Sequence, residues 1–387
     1  MTSQVQDNPA AGAAVDYDPF AGAALSRVVP STEPQREVWL AERLGREASL
    51  AYNESVTLSF KGALNTEALR GALQDLIVRH EVLRATISAN GEELLIAAEL
   101  HLEVPVLDHA SANKEAVLQE ARQRAVETVF DLEHGPLFRA EILKFSDTDF
   151  SLIVTAHHIV FDGWSAGVMM RDVAQFYAAR VGNASAAIEP AASFGDYAIM
   201  QRAASTKPQY ADDEAYWLSR FSGSVTALDL PADHARKAWR SFSSRRLDYV
   251  LDTELVNAVR KAGSASGASL FVTLLAGFAA LLHRIAGTDD VVVGVPAAGQ
   301  STGGLDSLIG HCVNLLPLRL KVDSSASLAS VIADTKASML DAYEHQEYTF
   351  GTLLQKLAIE RDPSRLPLVS VMFNVDQALD LNAMGFK

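Results

Sequence analysis

The chain has 387 residues, 49% of them hydrophobic and 21% charged, and a formal net charge of -15. That length suits two lobes near the common domain size of about 100 to 200 residues better than a single core. The acidity argues against nucleic acid or an anionic membrane as partner, since both are polyanions that would repel it at long range.

The single cysteine, Cys312, excludes an internal disulfide and a thiolate-cluster zinc site, which suits a cytoplasmic protein. No Lys or Arg precedes Arg27, so the basic n-region of a secretory signal is missing. The longest apolar run, 270–282, is interrupted by Thr273 and Gly277 and falls short of the ~20 residues of a membrane span. It reads as a buried helix.

In chain order, residues 1–27 are rich in Ala, Gly, Asp and Pro without a sustained period, and read as a flexible tail or linker. A first lobe is expected over 28–181. Ser31 or Thr32 followed by Glu33 and Pro34 marks a helix start. Residues 55–60 alternate as a strand, and 66–80 read as a helix with Leu69, Leu73, Leu76 and Ile77 on one face. A helix over 113–129 precedes strands at 140–145 and 150–156, joined through Asp147-Thr148-Asp149. Residues 182–206 shift to Ala, Ser and Pro and read as a crossover. The second lobe, 207–387, is expected to hold helices at 212–221, 253–263 and 270–285 and strands at 246–251 and 290–296. Its run of Arg236, Lys237, Arg240, Arg245 and Arg246 reads as a solvated loop, or as a contact for a phosphate.

The chemistry concentrates in Thr155-Ala156-His157-His158-Ile159-Val160-Phe161-Asp162-Gly163-Trp164-Ser165-Ala166-Gly167. This stretch leaves an apolar strand, crosses an Asp-Gly turn and enters a helix expected over 165–180. Successive strand residues face opposite ways, so His157 and His158 cannot both look into one cleft. His158 and Asp162 have a spacing that metal sites use, but Gly163 and the β-prone residues between them argue against a helix, and no metal is expected.

His157 to Gly163 resembles the HHxxxDG motif of the condensation domains of non-ribosomal peptide synthetases, which are related to chloramphenicol and dihydrolipoyl acetyltransferases. Other segments resemble that family's remaining motifs in order. They are 30–40 with Gln35, 79–86 with Arg84, 212–221 with Tyr216 and Trp217, 287–296, 309–319 with Asn314 and Arg319, 345–350, and 361–369. The resemblance implies an α/β fold of two acetyltransferase-like lobes, set as a V-shaped pseudo-dimer around a central tunnel. Members of the family continue past the last motif, so the second lobe is expected to be truncated.

The resemblance also implies the reaction: an amide bond formed between an acyl or peptidyl thioester donor and an aminoacyl acceptor, each on a carrier. The partners implied are an upstream acyl or peptidyl carrier protein, a downstream peptidyl carrier protein and an adenylation domain. No cofactor is bound permanently; 4'-phosphopantetheine arrives on the carriers. An α-amino group titrates near pH ~8, so a base of modest strength such as imidazole suffices. By resemblance His158 is catalytic, either accepting the amine's proton or holding the amine. His157 is structural, hydrogen-bonded beneath the turn. Asp162 is architectural and pairs with an arginine, for which Arg84 and Arg319 are candidates. Gly163 lets the substrate approach the backbone. Trp164, Ser165 and Asn314 are expected to contact substrate.

Two rival readings come from the same residues. Gly163-Trp164-Ser165-Ala166-Gly167 fits the G-x-S-x-G elbow of α/β-hydrolases, which makes Ser165 the nucleophile of a hydrolase or thioesterase. An epimerisation domain keeps both histidines and is the nearer competitor. A module that only recruits partners is a third class, and the intact His158 speaks against it.

Overall fold

A computed structural model of the protein describes residues 24–376, apart from 111, 183–187, 224, 226, 302–303 and 360–361. Residues 1–23 of the expected tail, 377–387 of the expected second lobe and Arg361 of the last motif lie outside the described residues.

Strand β1 (Leu25–Pro30) begins inside the stretch read as tail. Helix α1 (Glu33–Glu42) starts where the sequence placed it. Thr32 and Gln35 exchange both bonds of a capping box, and Pro34 sits in the first turn, where no N–H is needed. A short α2 (Arg46–Leu50) leads into β2 (Asn53–Lys61). Helix α3 (Thr66–Arg79), capped by Asn65, buries Leu69, Leu73, Leu76 and Ile77 as their spacing requires. Strands β3 (Ala85–Ile87), β4 (Glu93–Ala97) and β5 (Val106–Asp108) are too short to show a readable alternation. Then come α4 (Lys114–Glu127), β6 (Phe138–Ser146), β7 (Asp149–His157) and α5 (Gly163–Arg180).

One sheet has the order β2-β7-β6-β5, with β7 antiparallel to both neighbours and β5 parallel to β6; a second has the order β1-β4-β3. Strand β7 is central and buried along nearly its whole length, which is why Phe150 to Ala156 is largely apolar. Its last residue is His157, so the sheet delivers the two histidines at a strand end.

Helix α6 (Phe194–Ala204) lies inside the expected crossover, with Ser193 as its cap. After it come α7 (Pro208–Arg220), α8 (Thr253–Ala265), α9 (Leu270–Ala286), β8 (Asp290–Ala298), β9 (Val313–Lys321), α10 (Leu328–Glu344) and α11 (Phe350–Lys356). β8 and β9 pair antiparallel from Asp290↔Lys321 to Ala298↔Val313. The strand expected at 246–251 does not form; Leu247 and Tyr249 are exposed, and alternation without a partner gives no ladder to close.

Two large apolar cores result. One gathers β1–β4, β6 and β7 with α3 and α5; the other gathers α7, α9, α10 and α11 around β8 and β9. The segment between β8 and β9 leaves the second core and inserts Leu308, Ile309 and Cys312 into the first. No single helix among the described residues is long and apolar enough to cross a membrane.

Candidate active site

The turn after β7 is fixed from three sides. The His158 N–H donates to the Tyr52 carbonyl, at 2.8 Å, where β2 begins. Gln35 of α1 donates from Nε2 to the Ile159 carbonyl at 2.8 Å. Asp162 caps α5, accepting from the Ser165 N–H at 2.9 Å and the Ser165 hydroxyl at 2.7 Å through Oδ1. Its Oδ2 accepts from Gln300 Nε2 at 2.8 Å and from the Cys312 N–H at 3.1 Å.

The two histidines separate as strand alternation demands. His157 is fully buried against Tyr52 and Phe130, and its Nδ1 accepts the Ile159 N–H at 3.2 Å. Burial, with the charges of His158 and Arg139, holds its pKa down at about 3, so it stays neutral. His158 keeps 28% of its side chain exposed. Its Nδ1 lies 2.8 Å from the Phe161 carbonyl, which only accepts, so the proton sits on Nδ1 and Nε2 becomes the working atom. Nε2 is 3.1 Å from Oε1 of Glu54 on β2. Burial raises the Glu54 pKa, opposed by the His158 charge and reinforced by Asp162. The His311 ring packs edge-on to His158 at 4.8 Å; burial, then the charges of His158 and His157, keep it neutral.

Several expectations are corrected here. Among the described residues no arginine holds Asp162: Ser165, Gln300 and the Cys312 amide fill its carboxylate. Arg84 instead donates to the carbonyls of Ile77, Val78 and Ala97. Arg319 grips the Asp290 carboxylate across the β8–β9 pair, at 2.9 Å from Nε. Ser165 is not a substrate contact. It is wholly buried, donates to Asp162, and exchanges bonds with the Gly310 N–H at 3.0 Å and carbonyl at 3.2 Å. Gly310 must be glycine: its φ is +152°, and a Cβ would collide with the Phe194 ring. Asn314 is likewise spent on the main chain, bonding the carbonyls of Gln346 and Tyr348 and the Phe350 N–H.

Gly163 is exposed, with open space where a Cβ would stand. Trp164 is partly exposed and donates from Nε1 to the Asp306 carbonyl at 3.3 Å. Sequence reasoning missed Glu54 and Gln300, which only the fold brings to the turn, and gave no role to Gly310 and His311 although they lie inside the motif at 309–319. Gln35 carried a signal in its motif position. Among the described residues no three His, Cys, Asp or Glu side chains converge as a metal set.

A family model described as the condensation domain matches residues 26–384. The chain belongs to the condensation-domain family. A plipastatin synthase of Bacillus subtilis (strain 168) is 34% identical over 371 residues, covering 94% of this chain. This condensation domain spans only 14% of that relative's length. Among solved structures, the starter condensation domain of rhizomide synthetase in complex with C8-CoA is similar, with 25% identity and a TM-score of 0.76. That likeness covers 90% of this chain and 78% of the other. The X-domain from teicoplanin biosynthesis, in its complex with OxyB, is 28% identical with a TM-score of 0.77, covering 93% and 80%. These relatives and the buried Ser165 favour the condensation reading over a hydrolase.

Proposed function

We propose that this condensation domain transfers an acyl or peptidyl group from the thioester of an upstream carrier to the amino group of an aminoacyl thioester on a downstream carrier. The observation that carries this reading is His158 at the strand end, with Nδ1 pinned to the Phe161 carbonyl and its ring partly open to solvent. Nε2 receives the amine, the C–N bond forms as the C–S bond breaks, and the amine's proton leaves with the thiolate as thiol. The 4'-phosphopantetheine arms of the two carriers bring the reactants as substrate, and an adenylation domain loads the acceptor. The two cores correspond to two lobes that divide near 182–206, with the reactants meeting between them. Trp164 and the open backbone at Gly163 line that approach.

The test is mass spectrometry of a reaction holding one loaded donor carrier and one loaded acceptor carrier. His158→Ala is expected to slow amide formation by about 10² to 10⁴, the range that one general base contributes. A wild-type rate in that variant removes His158 from the mechanism.

A further inference from the structure

Glu54 stands on β2 opposite Ala156 of β7, beside the strand end that carries both histidines. Its Oε1 and the Nε2 of His158 are 3.1 Å apart. Since Nδ1 already carries the proton given to the Phe161 carbonyl, Nε2 of a neutral ring would meet the carboxylate lone pair to lone pair. The 3.1 Å contact is an ion-pair distance without the directed geometry of a hydrogen bond, so the two acceptors stand side by side with no donor between them. The charges that act on Glu54 are those of His158 and Asp162; His157 and His311 are held neutral, while Arg139 bears on His157 and Arg240 on Tyr52. The pair is half-open, with 28% of each side chain exposed, so a compact group can reach it from solvent.

Two acceptors this close, with no donor between them, mark a place for a cationic donor. We propose that Glu54 and His158 together form the docking site for the α-ammonium group of the acceptor, which supplies the donor that neither of them provides. This rests on the amide-forming role proposed above. On binding, the ammonium gives one N–H to Oε1 and one to Nε2. One proton then passes to Nε2, where the Glu54 carboxylate holds it, and the freed lone pair attacks the thioester carbonyl. The C–N bond forms, the C–S bond breaks, and the remaining surplus proton on nitrogen goes to the departing thiolate. The pair ends the cycle holding one proton, which it releases to solvent before the next acceptor binds. Glu54 thereby selects an amine over a hydroxyl acceptor, because a neutral hydroxyl brings no charge to the carboxylate.

The test is calorimetric binding of non-hydrolysable alanyl, leucyl and phenylalanyl pantetheine amides and of their α-hydroxy counterparts to the whole chain. The wild type is expected to bind at least one ammonium ligand about tenfold or more tightly than its hydroxy counterpart, a difference of about 1.4 kcal/mol. Glu54→Gln, similar in size but uncharged, is expected to bring the two within about threefold, and Glu54→Asp to restore part of the preference. An undiminished preference in Glu54→Gln, no preference in the wild type, or no binding of any ammonium ligand overturns the proposal. Binding is read apart from turnover. A domain that selects ammonium but forms no amide rejects the reaction alone; one that forms amide with an unchanged acceptor KM in Glu54→Gln rejects the role of Glu54 alone.

Discussion

The Asp162 carboxylate accepts the Cys312 N–H at 3.1 Å across 150 positions of sequence. That bond joins the turn carrying His158 to the segment between β8 and β9, which is anchored in the other core at both of its ends. The same carboxylate also caps α5 and accepts from Gln300. A residue that looks catalytic by its closeness to two histidines is therefore the pin that fixes where Nε2 of His158 points.

Asp162→Ala tests this. The change leaves the buried donors of Ser165, Gln300 and Cys312 without their acceptor, and each such orphan costs about 1 to 3 kcal/mol. The expected outcome is a loss of about 3 kcal/mol or more in urea denaturation followed by tryptophan fluorescence, with amide formation falling alongside. Unchanged stability with lost activity would return Asp162 to the chemistry.

Ser165→Ala separates a structural hydroxyl from a nucleophile. The hydroxyl's bonds to Asp162 and Gly310 are buried, so their loss is expected to cost about 1 to 3 kcal/mol. The folded variant should keep its rate of amide formation. A serine-directed fluorophosphonate should leave Ser165 of the wild type unlabelled, since no solvent reaches it. Labelling there would revive the hydrolase reading.

The strand-turn-helix that presents His158 was legible because its information is local. β7 is largely apolar from Phe150 to Ala156, Asp162 caps α5 within its own turn, and neighbouring strand residues must face opposite ways. What the sequence concealed is long-range. Glu54 lies just before the strand expected at 55–60, in the polar Asn53-Glu54-Ser55; only the β2–β7 register brings it to Nε2. Arg319 went astray for a related reason. An arginine pairs with whichever carboxylate its strand presents, and the β8–β9 register presents Asp290. The exposed 246–251 stretch shows the converse, an alternating pattern that forms no strand without a partner.

Asn314→Ala is expected to act on stability rather than on acceptor binding. The carboxamide clamps the main chain at Gln346, Tyr348 and Phe350, and so fixes the entry to α11. Truncation should cost about 2 kcal/mol by denaturant titration, the scale of losing buried main-chain partners. Acceptor KM, measured with loaded carriers, should stay within about twofold, a difference well under 1 kcal/mol. A large rise in that KM without a fall in stability would make Asn314 a substrate contact after all.

Glu37 makes the stability of the joint between α1 and α11 depend on pH. Its Oε1 accepts the Gly351 N–H at 2.7 Å, where α11 begins. Burial raises its pKa to about 7, against the lowering effect of that N–H and with a further push from Glu33. A carboxyl whose folded pKa lies above its ordinary value of 4.5 binds its proton more tightly in the folded chain. Its stabilising contribution is complete below pH 4.5 and is lost as pH rises through about 7. Glu37→Gln keeps an oxygen for Gly351 and removes the titration. The variant should match the wild type near pH 4.5 and grow relatively more stable up to pH about 7, by at most about 3 kcal/mol. Urea midpoints for both proteins, taken from about pH 5 to about pH 8, would show the two curves diverging. Curves that stay parallel across that window would mean that Glu37 ionises in the folded domain as it does in water.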